Sequence, residues 1–355
     1  MNERDNFYDC IRAIAAAFVL LRHCSLLPGG AIGVSIFFCL SGFLIARIML
    51  RLPEISFQNM AKFIFRRFMR VWPLMAFQII LTLGLLAALK SRQDAQDYIS
   101  ALPGLLTFTG SVRWIGLSSG ILWTLRAEFW FYVLFALAVF STGRRGLIWM
   151  ALCGIAIGWV TKYCLGHDLD GMLAASYPDQ LKAMVPTFVY LDQLMAGVVC
   201  ACIVERNNPT IKAIFRNRIV SLWLPLAAIT VLATLRVKGY DLSWYLQTSA
   251  AAYLTGALLL HQWSNPLKGD YEPLATLGRI SFSIYLLHAV VLDFMPWHAF
   301  PPALQFLTAC GIIVVVSMLT FRWIETPFIH VSRTIAPLEP TTPVLAPNQM
   351  ARQDV

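Results

Sequence analysis

The chain has 355 residues, of which 58% are hydrophobic and 13% charged, and its mean hydropathy is +0.65. A soluble domain carries about a quarter charged residues, so this chain lacks a water-compatible surface, and its continuous apolar runs exclude a membrane barrel, whose strands alternate at every second residue. The formal charge of +9 would suit nucleic acid in a soluble protein, but in a membrane protein the distribution of charge matters more than its sum, and no nucleic-acid partner is expected.

Apolar runs near the roughly 20 residues that cross a bilayer as a helix predict an all-α, polytopic transmembrane helical bundle of about ten spans. They lie near 9–27, 31–50, 71–89, 121–140, 147–165, 184–204, 219–236, 244–262, 280–297 and 303–324. The leader MNERDNFYDC is not net positive, and no small-x-small cleavage site follows the first run, so that run reads as a retained span. Residues 101–117 are apolar but broken by Pro103, Gly104 and Gly110, which predicts a re-entrant or surface-lying loop. One domain is expected over 1–330, with the proline-rich, polar segment 331–355 as a disordered cytoplasmic tail.

Loop charges set the expected orientation. Arg51, Lys62, Arg66, Arg67 and Arg70 precede the third span, and later loops on the same side carry Arg144 and Arg145, then Arg206, Lys212, Arg216 and Arg218, then Lys268 and Arg279. The intervening loops hold fewer basic residues, which puts both termini in the cytoplasm of a bacterial inner membrane. KFIFRRFMR (62–70) interleaves aromatic and basic residues and reads as an amphipathic segment at the inner surface. The eight cysteines contain no CxxC pair and the six histidines are scattered; thiols packed as small hydrophobes are expected, and no metal site.

The first apolar run is odd. Arg12 opens it and His23 closes it, eleven residues apart, which at about 100° per residue returns them to within roughly 20° of one helix face, about 16 Å apart along the axis. Ionisable groups facing lipid cost roughly 2.5–3.5 kcal/mol or more at mid-membrane. The pair therefore either anchors the two helix ends or lines a protein passage. Glu128, Asp192, Gln193, Tyr285 and His288 add further polar groups inside predicted spans, and a partner for Glu128 is expected from another span, Arg12 being one candidate. So many buried polar groups favour the passage.

With these residues in view, the chain resembles the acyltransferase 3 family of membrane O-acyltransferases. The Arg12 and His23 spacing matches that family's first helix, and GVSIFFCLSGFLI matches its second-helix signature at Gly33, Phe37, Phe38, Ser41, Gly42 and Phe43. FRRFMRVWPL, WTLRAEFWFY (Trp123, Glu128, Phe131, Tyr132), GRISFSIYLLH and IETPFI follow in the family's order. Arg126 stands where a small polar residue is common, and Ala289 and Val290 follow His288 in place of Trp-Pro.

The resemblance implies an acyl-CoA donor, most often acetyl-CoA, and a glycan or glycolipid hydroxyl as acceptor at the membrane or its outer face. On this reading His23 is the general base, Arg12 holds the donor or stabilises the oxyanion, and Glu128 orients His23 or balances Arg12. Arg66, Arg67 and Arg70 clamp the CoA phosphates, and Tyr285, His288 and Trp123 line the acceptor side; Ser41 and Gly42 allow close helix approach. The rival reading, a secondary transporter or flippase using intramembrane Arg, Glu and His, is disfavoured because the two halves show no self-similarity.

Overall fold

The computed structural model describes residues 6–24, 26, 32–109, 117–166, 187–227, 243–266, 271–295 and 301–338. Among these residues there are helices and no strand. The first four helices are α1 (Asn6–His23), α2 (Ile32–Leu50), α3 (Phe57–Leu89) and α4 (Arg92–Leu106). A short α5 (Leu117–Gly120) leads into the long α6 (Leu122–Gly166), followed by α7 (Leu191–Arg206) and α8 (Pro209–Arg216). After a π-helical turn at Ile219–Trp223 come α9 (Ser243–Ser264), α10 (Glu272–Arg279), α11 (Ser281–Phe294), α12 (Pro302–Thr320) and α13 (Thr326–Ile335).

Among the described residues, four helical stretches are long and apolar enough to cross a membrane: Ile32–Leu50, Phe57–Leu89, Leu117–Cys164 and Leu304–Ile335. The pair α10 and α11, bent by 64°, would make a fifth. The expected count of about ten spans is not confirmed among the described residues. Predicted spans four and five correspond to the two parts of α6, which are two helices separated at Gly143, whose φ of 66° and ψ of −176° are not helical; few residues other than glycine tolerate that region. Helix α1 carries Asp9, Arg12 and Arg22 within 18 residues, and α7 has only 16 residues. Much of predicted span 219–236 lies outside the described residues.

Two expected loop segments are helical. The basic segment 62–70 is continuous with the third predicted span, both lying in α3, a 33-residue helix capped by Ser56, which accepts from the Asn59 amide at 3.3 Å. The stretch that begins at 101 is helical as far as Leu106, because Ser91 caps α4 and Pro103 is absorbed near its last turn; residues 110–116 lie outside the described residues. At the far end α13 runs to Ile335, past the expected domain boundary at 330, while 339–355 lie outside the description.

Helices α2 and α7 form the central contact. A side chain on Gly42 would overlap the Leu194 carbonyl, and one on Gly197 would overlap the Cys39 carbonyl, so the two backbones touch, as small residues permit between helices in lipid. The charged loops gather at one end of this frame. Arg47 and Arg51 both pair with Glu205, at 2.6 and 2.8 Å, Arg144 donates to the Leu52 carbonyl, and Arg47 reaches the Tyr8 hydroxyl at 3.2 Å. The start of α1 thus shares an end with the basic loops, and His23 stands at the opposite end.

Candidate active site

Helices α1, α2, α3, α6 and α11 enclose a cavity with about 770 Å³ of atom-free space. Its charged wall consists of Arg12, Arg67, Arg70 and Glu128; Ser41, Thr124, Tyr132 and Tyr285 add hydroxyls, and Phe37 and Phe38 add apolar surface. The helical repeat explains the assembly. Arg67 and Arg70 are three apart on α3 and share a face, while Arg66 points about 100° away, on the side where the charge of Arg333 of α13 acts on it. The structure therefore brings two of the three predicted clamp arginines to the cavity and leaves Arg66 out.

Arg12 lines the cavity, with Nη1 donating to Asp9 Oδ1 at 2.7 Å and 17% of its side chain exposed. The expected pairing of Glu128 with Arg12 is not what forms. Glu128 Oε1 accepts from the Ser41 hydroxyl at 2.6 Å and from Tyr132 one turn further along α6, and Arg67 is its near positive charge. Ser41 thus does more than permit close helix approach, which falls to Gly42 beside it. Tyr132 was readable in advance: residues i and i+4 share a helix face, so a tyrosine four after a buried carboxylate is its ready donor.

His23 is exposed and does not line this cavity; its link to it runs through α11. Tyr285 stands in the cavity wall, its hydroxyl 2.7 Å from Thr124 Oγ1. Its ring lies 5.8 Å from that of His288, and the His288 ring lies 5.2 Å from that of His23. His288 is buried, with Nδ1 2.5 Å from the Tyr285 carbonyl. A carbonyl only accepts, so Nδ1 carries the proton and Nε2 is the lone-pair nitrogen of the neutral ring; Nε2 has no hydrogen-bond partner among the described residues. Of the predicted stripe on α1, Arg12 lines the cavity and His23 does not; the side chains between them come from α11.

Trp123 also stands outside the cavity, stacked 5.0 Å from Tyr190 and edge-on to Phe38. It buttresses a cavity residue from behind. Asp192 finds its company far from Arg12, in a dry cluster between α6, α7 and α9. Lys162 Nζ lies 2.5 Å from Asp192 Oδ1 and 2.6 Å from Ser249 Oγ, while Ser249 and Tyr253 donate to Asp192 Oδ2 at 2.7 and 3.1 Å. Lys162 was overlooked in the sequence; a lone lysine inside the apolar run GIAIGWVTKYCLG was the available signal. The cysteines are all free thiols, and no cluster of metal-ligand type occurs among the described residues.

An acyltransferase-domain family model matches residues 5–322. The chain is 23% identical over 357 residues to "Putative O-acetyltransferase SACOL0978" of Staphylococcus aureus strain COL. It is 24% identical over 354 residues to "O-acetyltransferase OatA" of Staphylococcus aureus strain NCTC 8325. In both, the alignment covers 90% of this chain and 56% of the relative, so the chain spans about half the length of the curated relatives it matches. No solved structure matches it. With a family model covering nearly the whole chain, the protein belongs to the acyltransferase 3 family.

Proposed function

We propose that the protein is a membrane O-acyltransferase that moves an acyl group, acetyl by preference, from cytoplasmic acyl-CoA to a hydroxyl of a glycan or glycolipid at the outer face of a bacterial inner membrane. The observation that carries this reading is the continuous series from an arginine-walled cavity, through Tyr285 and His288, to His23. A transporter site would need charge in a passage, whereas two imidazole rings 5.2 Å apart and tilted by 38° supply a proton acceptor beside that passage.

In this reading both termini and the basic loops are cytoplasmic. Arg67 and Arg70 meet the phosphates of CoA, for which the planar guanidinium fork is suited. The apolar wall of Phe37 and Phe38 accepts the pantetheine arm, and the thioester comes first to Tyr285. The thioester then advances past Tyr285 to the His288 and His23 rings, where the acceptor oxygen attacks its carbonyl carbon while the acceptor's proton passes to His23. The C–S bond then breaks, and the CoA thiolate takes that proton back from the imidazolium. Histidine suits this role because its ordinary pKa lies near the working pH. Arg12 stabilises the donor or the transient oxyanion. Glu128 acts at the other end, keeping Arg67 and Tyr132 in place.

His23→Ala tests this directly. General-base catalysis contributes about 10²–10⁴-fold, so ester acetate released by mild alkali from envelope glycans should fall to background in cells expressing the variant. CoA binding by the purified protein should persist. Undiminished acetylation in that variant would remove His23 from the chemistry.

A further inference from the structure

A second chamber, with about 490 Å³ of atom-free space, lies at the end of the bundle where His23 stands. Its polar wall comprises Lys90, Asp94, Tyr98, Ser118, Ser119 and Asp293, drawn from the end of α3, the following α4, the short α5 and the end of α11. The chamber is rigidly built. Asp293 accepts the backbone amides of Leu117 and Ser118 at 3.0 and 2.7 Å, which ties α5 to α11. Gln78 donates to the Ser118 carbonyl at 3.0 Å and to Thr82 Oγ1 at 3.1 Å. Ser91 caps α4 through the Asp94 amide at 3.1 Å.

One group in this wall is unsatisfied. Tyr98 is fully buried; the Thr82 hydroxyl, which accepts from Gln78, stands at the edge of hydrogen-bond reach, and the Tyr98 hydroxyl closes no bond of good geometry among the described residues. A buried hydroxyl without a partner costs about 1–3 kcal/mol, so one that borders a polar chamber marks the place where a ligand can supply the missing bond. The chamber is also coupled to the proposed chemistry, because the Asp293 carboxylate acts on the His23 ring electrostatically. The ring pairs Tyr285–His288 and His288–His23 thus lead from the arginine cavity towards the end of α11 that carries Asp293.

We propose that the chamber is the acceptor subsite and that it selects a neutral, hydroxyl-rich unit such as one sugar residue. The assignment rests on the acyltransferase reading above and extends it to residues on α4 and α5. The charge pattern argues for the ligand class. Two carboxylates beside one ammonium repel a phosphate or carboxylate, and the ammonium opposes a bound cation. A polyol matches both kinds of wall, because each hydroxyl donates to Asp94 or Asp293 and accepts from Lys90 or Tyr98. Phe294, also in the wall, offers an apolar face to ring C–H groups.

The test compares wild type, Lys90→Met, Tyr98→Phe and the double variant Asp94→Asn with Tyr98→Phe. Two readouts are needed: alkali-released ester acetate on envelope glycans, and CoA binding by the purified full chain. The double variant should lose at least ten-fold in ester acetate, and each single variant should lose several-fold, with the Kd for CoA unchanged within two-fold. Ester acetate within two-fold of wild type in the double variant overturns the assignment. So does a loss accompanied by an equal loss of CoA binding, since the residues then serve the fold. A wild-type chain that neither adds ester acetate nor binds CoA defeats the acyltransferase reading itself, whatever the variants do.

Discussion

The dry ion pair between α6 and α7 is the sharpest place to test the packing. Lys162 and Asp192 are each 0% exposed at the side chain and 2.5 Å apart. Removing one partner of a buried pair costs about 3–5 kcal/mol, because the survivor keeps its charge in a medium that cannot solvate it. At 1.4 kcal/mol per decade, that is roughly two to three and a half powers of ten in the folding equilibrium. The two single variants should differ. Lys162→Met leaves Asp192 with the Ser249 and Tyr253 hydroxyls and belongs near about 3 kcal/mol. Asp192→Leu leaves the ammonium with Ser249 and the face of Trp159, 5.0 Å away, and belongs near about 5 kcal/mol. The double variant should recover most of the loss, since replacing a whole buried pair by apolar groups is often close to neutral. Helix ellipticity during transfer from mild detergent into sodium dodecyl sulfate reads all three. Single variants within about 1 kcal/mol of wild type, or a double variant no better than the worse single one, would refute a dry pair held by mutual charge. The cluster lies behind α7, and α7 holds α2 with its cavity residues. Its loss should therefore lower the melting temperature before it changes donor affinity.

Two further outcomes follow from the geometry. Arg66→Ala should leave the Kd for CoA within two-fold, whereas Arg67→Ala and Arg70→Ala should each raise it about ten-fold or more, as expected for lost charge-assisted bonds of roughly 1.5–3 kcal/mol; isothermal titration separates them, and equal effects at all three positions would return Arg66 to the clamp. Gly197→Ala drives a methyl group into the Cys39 carbonyl and should cost at least about 1–3 kcal/mol by forcing α2 from α7; a variant that elutes and melts like wild type would refute the close approach.

Much of the architecture was legible in the linear chain because membranes impose simple rules. Low charge and long apolar runs are enough to demand helices, since no other backbone satisfies itself in lipid without closing into a barrel. The grouping of basic loops also emerged from order alone, and Arg47, Arg51 and Arg144 do meet at one end. The number of separate spans was not legible. Apolar runs mark where a chain is greasy, but the point at which one helix gives way to the next, as at Gly143, depends on the φ and ψ of a single residue.

The candidate site divides in the same way. The α-helical period places Arg12 and His23 on one stripe of α1 and Arg67 and Arg70 on one face of α3, and it puts Tyr132 one turn from Glu128; those relations are local and the order of residues determines them. Which stripe meets which is a matter of packing between helices. That alone brought Ser41 to Glu128 instead of Arg12, set His288 beside His23, put Arg66 on the side where the charge of Arg333 acts on it, and hid Lys162 against Asp192. The physical reason is range: helical periodicity acts over one or two turns, whereas partners more than 80 residues apart, such as Ser41 and Glu128, are chosen by how whole helices dock.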